Sequence, residues 1–227
     1  MKTAILLSGS GVYDGSEIHE SVMAMLALSQ NKLEYISTAP DINQHHVINH
    51  INGEEINQQR NVLQESARIA RGQIVPLSQL DLENISSIVI VGGFGAAKNL
   101  SNWAFKGPNG SVLKEVKDLI LYFIKNKKPI VSLCISPTLI AKSTEGTEYH
   151  PKLTLGSTNE NSEYNISEIN EAISLTGAFT EDKSISEICV DEELKIITAP
   201  CYMMDANIEG IYLNTKMAID KLCHFLD

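Results

Sequence analysis

The chain has 227 residues, 43% of them hydrophobic, and a formal net charge of −10. That length suits one α/β domain with a sizeable core, and the apolar share excludes general disorder. The acidic balance argues against nucleic acid or anionic membrane as a partner, and no apolar run approaches the ~20 residues of a membrane span.

Ala4 to Leu7 is a short apolar run that ends in SGSGVYDG, a buried strand followed by a Gly-rich loop. The opening MKTAILLSGSG has neither the long apolar stretch nor the small-residue cleavage site of an export leader. Glu17 to Ser29 carries helical spacing, with Asp14 and Glu17 resembling a capping box. Leu33 to Ser37 reads as a strand and Ile56 to Arg71 as a helix ending at Gly72. Ile88 to Val91 is a β-branched strand closed by Gly92-Gly93. Val112 to Lys127 is an amphipathic helix with Leu113, Val116, Ile120 and Phe123 on one stripe, and Pro129 to Leu133 is the next strand. Ser143 to Gly156 is the least regular stretch, and Ile166 to Leu175 reads as a helix. Ile188 to Val190 and Leu194 to Thr198 flank a turn as a hairpin. Asn207 to Leu226 closes the chain as a long helix with Ile208, Ile211, Ile219 and Leu222 inward. Short apolar strands alternating with helices predict a doubly wound, mostly parallel sheet sandwiched by helices, one domain over residues 1–227.

Ligands of such a sheet bind at the carboxyl ends of strands, where Cys134 sits. Ser136-Pro137 follows and suits the first turn of a helix, whose N-terminus would favour the thiolate. The same corner also accommodates a small buried thiol without a chemical role. VGGFGAAKNLSN, Val91 to Asn102, follows another strand. Its unobstructed amides could hold an oxyanion or simply make a turn. It lacks the Gly-Lys-Ser/Thr of a phosphate loop, and SGSGVYDG misplaces the third glycine of a dinucleotide fingerprint. Glu20 shares the inward stripe of its helix with Met23, Ala24 and Ala27. An inward acid needs a partner, which a thiol at a strand end would supply, with the carboxyl kept protonated. A register one residue off would instead place Glu20 at the rim.

Four cysteines form no CxxC pair and match no zinc spacing, so reduced thiols in a cytoplasmic protein and no metal are expected. His46 and His50 have a helical metal-pair spacing that nothing nearby completes, which reads as a polar loop. His19 adjoins Glu20, and the sequence places it either beside the site or on the surface.

Together, Leu7 to Glu20, Val47 to Glu54, Arg60 to Gly72, Gly92 to Asn102, the Cys134 corner and Ile197 to Met203 resemble the ElbB-type isoprenoid-biosynthesis glyoxalases. These belong to the PfpI-like, class I glutamine amidotransferase-like superfamily. The resemblance spans nearly the whole chain and weakens between Ser143 and Ser184. It implies a flavodoxin-like fold with Cys134 as nucleophile and Glu20 as its acid, Glu17 standing in reserve. The Gly92-Gly93 corner and the amide of Ile135 would bind the oxyanion, and Ala199 to Met203 would lie near the site mouth. The implied reaction is cofactor-free conversion of a small dicarbonyl, glyoxal to glycolate, in a homodimer. The Cys-His-Glu triad of true amidotransferases has no counterpart, although His150 could approach Cys134, and Cys201 is a second candidate thiol near the mouth. A non-catalytic thiol redox sensor or binding protein of the same fold is the alternative.

Overall fold

The computed structural model describes residues 1–226. In chain order its strands and helices are β1 (Lys2–Leu6), α1 (Ile18–Gln30), β2 (Tyr35–Ala39), α2 (Val62–Ile69), β3 (Ile74–Pro76), β4 (Ile85–Ile90), α3 (Phe94–Lys98), α4 (Trp103–Lys106), α5 (Lys114–Lys125) and β5 (Ile130–Leu133). They continue as α6 (Pro137–Thr144), β6 (Lys152–Leu153), α7 (Ile166–Ser174), β7 (Phe179–Thr180), β8 (Cys189–Asp191), β9 (Ile196–Ala199) and α8 (Ile208–Leu226).

Seven strands form one sheet in the order β3-β2-β1-β4-β5-β9-β8. Every pair is parallel except β8 with β9, the expected hairpin, where Asp191 Oδ1 accepts from the Leu194 amide at 3.0 Å. Side chains alternate across the sheet because strand residues point to opposite faces in turn. Leu6, Ile88, Ile90 and Ile130 pack with Ile120 and Phe123 of α5 on one face. Ile5, Leu7, Val89, Val131 and Ile197 pack with Ala24 and Leu28 of α1 and Ile219 and Leu222 of α8 on the other. Both faces are covered by helices, which explains why the central strands read as continuous apolar runs.

Three expectations change. The helix expected from Ile56 begins at Val62, because residues 57–60 offer no apolar anchor and Asn61 caps the start by accepting from the Gln64 amide at 3.0 Å. The cap of α1 is Glu17 itself, not Asp14: Glu17 Oε2 accepts from the Glu20 amide at 2.7 Å. Asp14 is buried and accepts from the Ile48 amide at 2.6 Å, tying down the next loop. Ile208 is exposed, since it is the first residue of α8 and precedes the packed face.

Candidate active site

β5 and α6 meet at a sharp corner occupied by Cys134. Its φ of 57° is a left-handed conformation that non-glycine residues rarely adopt. The corner is locked from behind by Ser136. That hydroxyl lies 2.6 Å from Ser132 Oγ, donates to the Ile90 carbonyl at 2.9 Å and accepts from the Leu133 amide at 2.9 Å. Pro137 then starts α6 in the first turn, where its missing N–H costs nothing. The sequence pattern contained Ser136 but gave no sign of this bracing, which needs β4 and β5 side by side.

α1 brings Glu20 to the same point. Its carboxyl has no exposed surface. Oε2 accepts from the Gly92 amide at 3.2 Å and Oε1 from the Tyr202 amide at 3.4 Å, and the carboxyl lies beside the Cys134 thiol, which holds its pKa down in part. Burial, with the nearby Glu17 charge, pushes Glu20 up to about 8. A carboxyl with that pKa holds its proton at neutral pH, as the inward-facing reading of Glu20 requires. Glu17 is also raised by burial, held down in part by the amides it caps. It supports the N-terminus of α1, and its carboxylate reaches the Glu20 amide while Glu20 reaches the thiol.

The Cys134 thiol behaves differently from the sequence expectation. Burial pushes it up, and charge on Glu20 adds to this; the amides of Gly93 and Ile135 pull it back down. Desolvation outweighs the helix N-terminus because the residue is only 6% exposed. Glu20 and Cys134 are therefore a coupled pair that resists carrying two negative charges. Ionisation of either group opposes ionisation of the other.

Of the three expected oxyanion amides, those of Gly93 and Ile135 face the sulfur, whereas that of Gly92 is engaged by Glu20. Gly92 matters through its missing side chain. A Cβ there would stand 2.4 Å from the Cys134 Cβ and 2.6 Å from Glu20 Oε2. At Gly93, with φ 92°, a Cβ would meet the Glu17 nitrogen at 2.4 Å.

Cys134 forms part of the lining of a cavity of about 220 Å³ at the carboxyl ends of the strands. Val12, Phe94, Trp103, Ile135, Tyr164 and Tyr202 make most of its wall. The wall is mainly apolar, so polar direction comes from the sulfur, the two amides and the tyrosine hydroxyls. Burial pushes the Tyr164 phenol up to about 12. Of these residues only Tyr202 lies in the segment expected near the mouth. Phe94, Trp103 and Tyr164 were missed, since an aromatic at a loop or helix start carries no sequence signal for the pocket it will face.

The histidines fall elsewhere. His150 bonds the Gly177 carbonyl at 2.9 Å beside the end of α5, at the opposite edge of β5 from Cys134. It does not complete a triad. His19 is at the rim, 2.8 Å from the Tyr202 hydroxyl and 3.9 Å from Glu17 Oε1. His45 and His46 stack with Phe105, and His50 stacks on Tyr13 at 4.9 Å while accepting from its amide. The loop read as merely polar is thus anchored, and no metal-binding group of His, Cys, Asp or Glu is found among the described residues. Among the described residues no histidine hydrogen-bonds Cys134 or Glu20. Cys201 has no exposed surface and lies behind the corner rather than at the mouth.

No family model matches the chain. It is 41% identical over 223 residues to the mitochondrial ES1 protein homolog of Rattus norvegicus, covering 97% of this chain and 82% of that protein. It is 40% identical over 213 residues to the human mitochondrial glutamine amidotransferase-like class 1 domain-containing protein 3, covering 93% and 78%. A crystal structure of an isoprenoid biosynthesis protein with an amidotransferase-like domain, from Ehrlichia chaffeensis, superposes with a TM-score of 0.90 at 32% identity over the whole of both chains. The mitochondrial relatives overturn the expectation of a cytoplasmic protein, for which reduced thiols were too weak a ground: they report a reducing environment and not which compartment supplies it. With a Cys134 corner, an α1 acid and a flavodoxin-like sheet in place, the chain belongs to the ES1 family of class 1 glutamine amidotransferase-like proteins.

Proposed function

We propose that the chain is a cofactor-free, cysteine-dependent glyoxalase of the ElbB type, acting on small dicarbonyls and associated with isoprenoid biosynthesis. The observation that carries this reading is the fully buried carboxyl of Glu20, set beside the Cys134 thiol across Gly92, at a small, mainly apolar cavity that Cys134 lines. The link to isoprenoid biosynthesis rests on the name of the Ehrlichia chaffeensis protein.

The Cys134 thiolate adds to one aldehyde carbon of glyoxal, forming a C–S bond as the carbonyl electrons move to oxygen. The amides of Gly93 and Ile135 are placed to hold that oxyanion, and Glu20 protonates it, giving a hemithioacetal. Glu20, now ionised, removes the C–H proton of the same carbon. Its electrons form an enediol with the neighbouring carbonyl, and return of the proton to the second carbon leaves a thioester. Water cleaves the C–S bond, releasing glycolate and the thiol. The sum is glyoxal plus water to glycolic acid, without net oxidation, so no redox cofactor is called for. A small cavity suits a substrate of a few heavy atoms.

The test is glycolate formation from glyoxal in amine-free buffer by the wild type, Cys134→Ala and Glu20→Gln. Cys134→Ala should abolish turnover, and Glu20→Gln should lower kcat about 10²- to 10⁴-fold, the usual contribution of a positioned acid. A wild type that consumes no dicarbonyl while Cys134 still alkylates would overturn the reading in favour of a non-catalytic thiol protein.

A further inference from the structure

The proposed chemistry leaves two buried thiols unused, Cys189 and Cys201, and the second lies beside the site. Cys201 sits on the same side of the sheet as Cys134, in the apolar cluster formed with α1 and α8. β5 and β9 are hydrogen-bonded neighbours in which Leu133 stands opposite Ala199. Cys134 follows the first by one residue and Cys201 the second by two. Both leave their strands in left-handed conformations, with φ of 57° and 46°. The two cysteines therefore leave adjacent paired strands within one residue of each other, on the side of the sheet they share, and a disulfide needs their Cα atoms brought to about 4.4–6.8 Å. The Cys134 amide donates to the Ala199 carbonyl at 2.9 Å, which ties the two strand ends together, and charge on the Cys201 sulfur is felt by Cys134. Beyond it, the Thr215 hydroxyl lies 3.6 Å from the Cys201 sulfur.

We propose that Cys201 is the resolving thiol of a reversible peroxide switch, closing an intramolecular disulfide with Cys134 when that residue is oxidised. The Cys134 thiolate attacks one oxygen of a hydroperoxide. The O–O bond breaks, water or an alcohol leaves with the proton Glu20 can supply, and Cys134 becomes a sulfenic acid. The Cys201 sulfur then attacks the Cys134 sulfur. The S–S bond forms, the S–O bond breaks, and water departs with the Cys201 proton. Peroxide is reduced and the two thiols are oxidised by two electrons. Burial of Cys201 suits this role, because its attack is intramolecular and its thiol is shielded from direct oxidation. The disulfide occupies the sulfur that would attack a carbonyl, and it spares Cys134 the irreversible sulfinic acid until a dithiol reduces it.

The inference rests on the reactivity of Cys134 and not on turnover of any aldehyde, so its test reads sulfur alone. The reduced chain is treated with stoichiometric hydrogen peroxide, alkylated, digested without reductant and mapped by mass spectrometry. A linked Cys134–Cys201 peptide pair, cleaved by dithiothreitol with full return of alkylatable Cys134, is expected. In Cys201→Ala, Cys134 should instead advance to a sulfinic acid that dithiothreitol does not reverse. Wild-type Cys134 that becomes sulfinic acid with no linked pair, pairs with another cysteine, or stays reduced overturns the proposal. The wild-type arm decides the matter even if the variant folds poorly.

Discussion

Glu20 couples the chemistry of the site to stability. In the unfolded chain a glutamate titrates near 4.5, and in the fold Glu20 titrates near 8. Between these values the native state holds a proton that the unfolded state releases. Its contribution is full below about 4.5, shrinks as pH rises, and is lost once pH passes the folded value near 8. A few kcal/mol are at stake, at about 1.4 kcal/mol per pH unit. Denaturant titrations of wild type and Glu20→Gln over this interval should show a falling wild-type stability and a flatter profile in the variant. Equal slopes would mean that Glu20 is ionised in the fold. The inward position of Glu20 was legible from helical spacing, because Ala24 and Ala27 mark the same face. The capping role of Glu17 was not: three residues separate it from Asp14, and only the observed backbone shows which one starts the helix.

At the scale of elements, the site is where α1, the corner after β4 and the corner after β5 converge. Gly92 is the tightest point of that convergence. Gly92→Ala should cost about 1–3 kcal/mol by overpacking and should slow alkylation of Cys134, since the new Cβ displaces the thiol and Glu20 together. Thermal melts and iodoacetamide kinetics read the two effects, and an unchanged thiol rate would show that the corner has slack. Asn99, just past α3, ties the Gly-rich loop to its surroundings. Its amide donates to the Ser8 and Asp14 carbonyls at 2.9 Å each, and its oxygen accepts from the His45 amide at 2.8 Å. Asn99→Ala leaves those buried groups unpaired and should destabilise the fold by about 1–3 kcal/mol. Hydrogen exchange should quicken around residues 8–16 and 45. Unchanged exchange there would place the loop's anchoring elsewhere. Strand–glycine–helix corners read easily from sequence, whereas Asn99 joins residues some 50 to 90 positions away and has no local pattern.

For the whole molecule, alternating strands and helices were sufficient to predict the parallel sheet, because both its faces are covered and its central strands are uniformly apolar. The edge was less legible. β3 has three residues including a proline, and the β6–β7 pair has two residues a strand, too short for a periodic signal. The cavity was legible as a location but not as a shape, since its aromatic wall comes from four separate segments. The homodimer implied by the resemblance predicts a mass twice 24.9 kDa in light scattering, and a single-chain mass at working concentrations would refute it. What unites these scales is a protonated carboxyl held on a thiol inside the sandwich. Infrared difference spectra between wild type and Glu20→Gln test that claim most directly. The account predicts a protonated-carboxyl C=O band assignable to Glu20 at neutral pH, disappearing as pH passes about 8. A carboxylate band from Glu20 at neutral pH would contradict it.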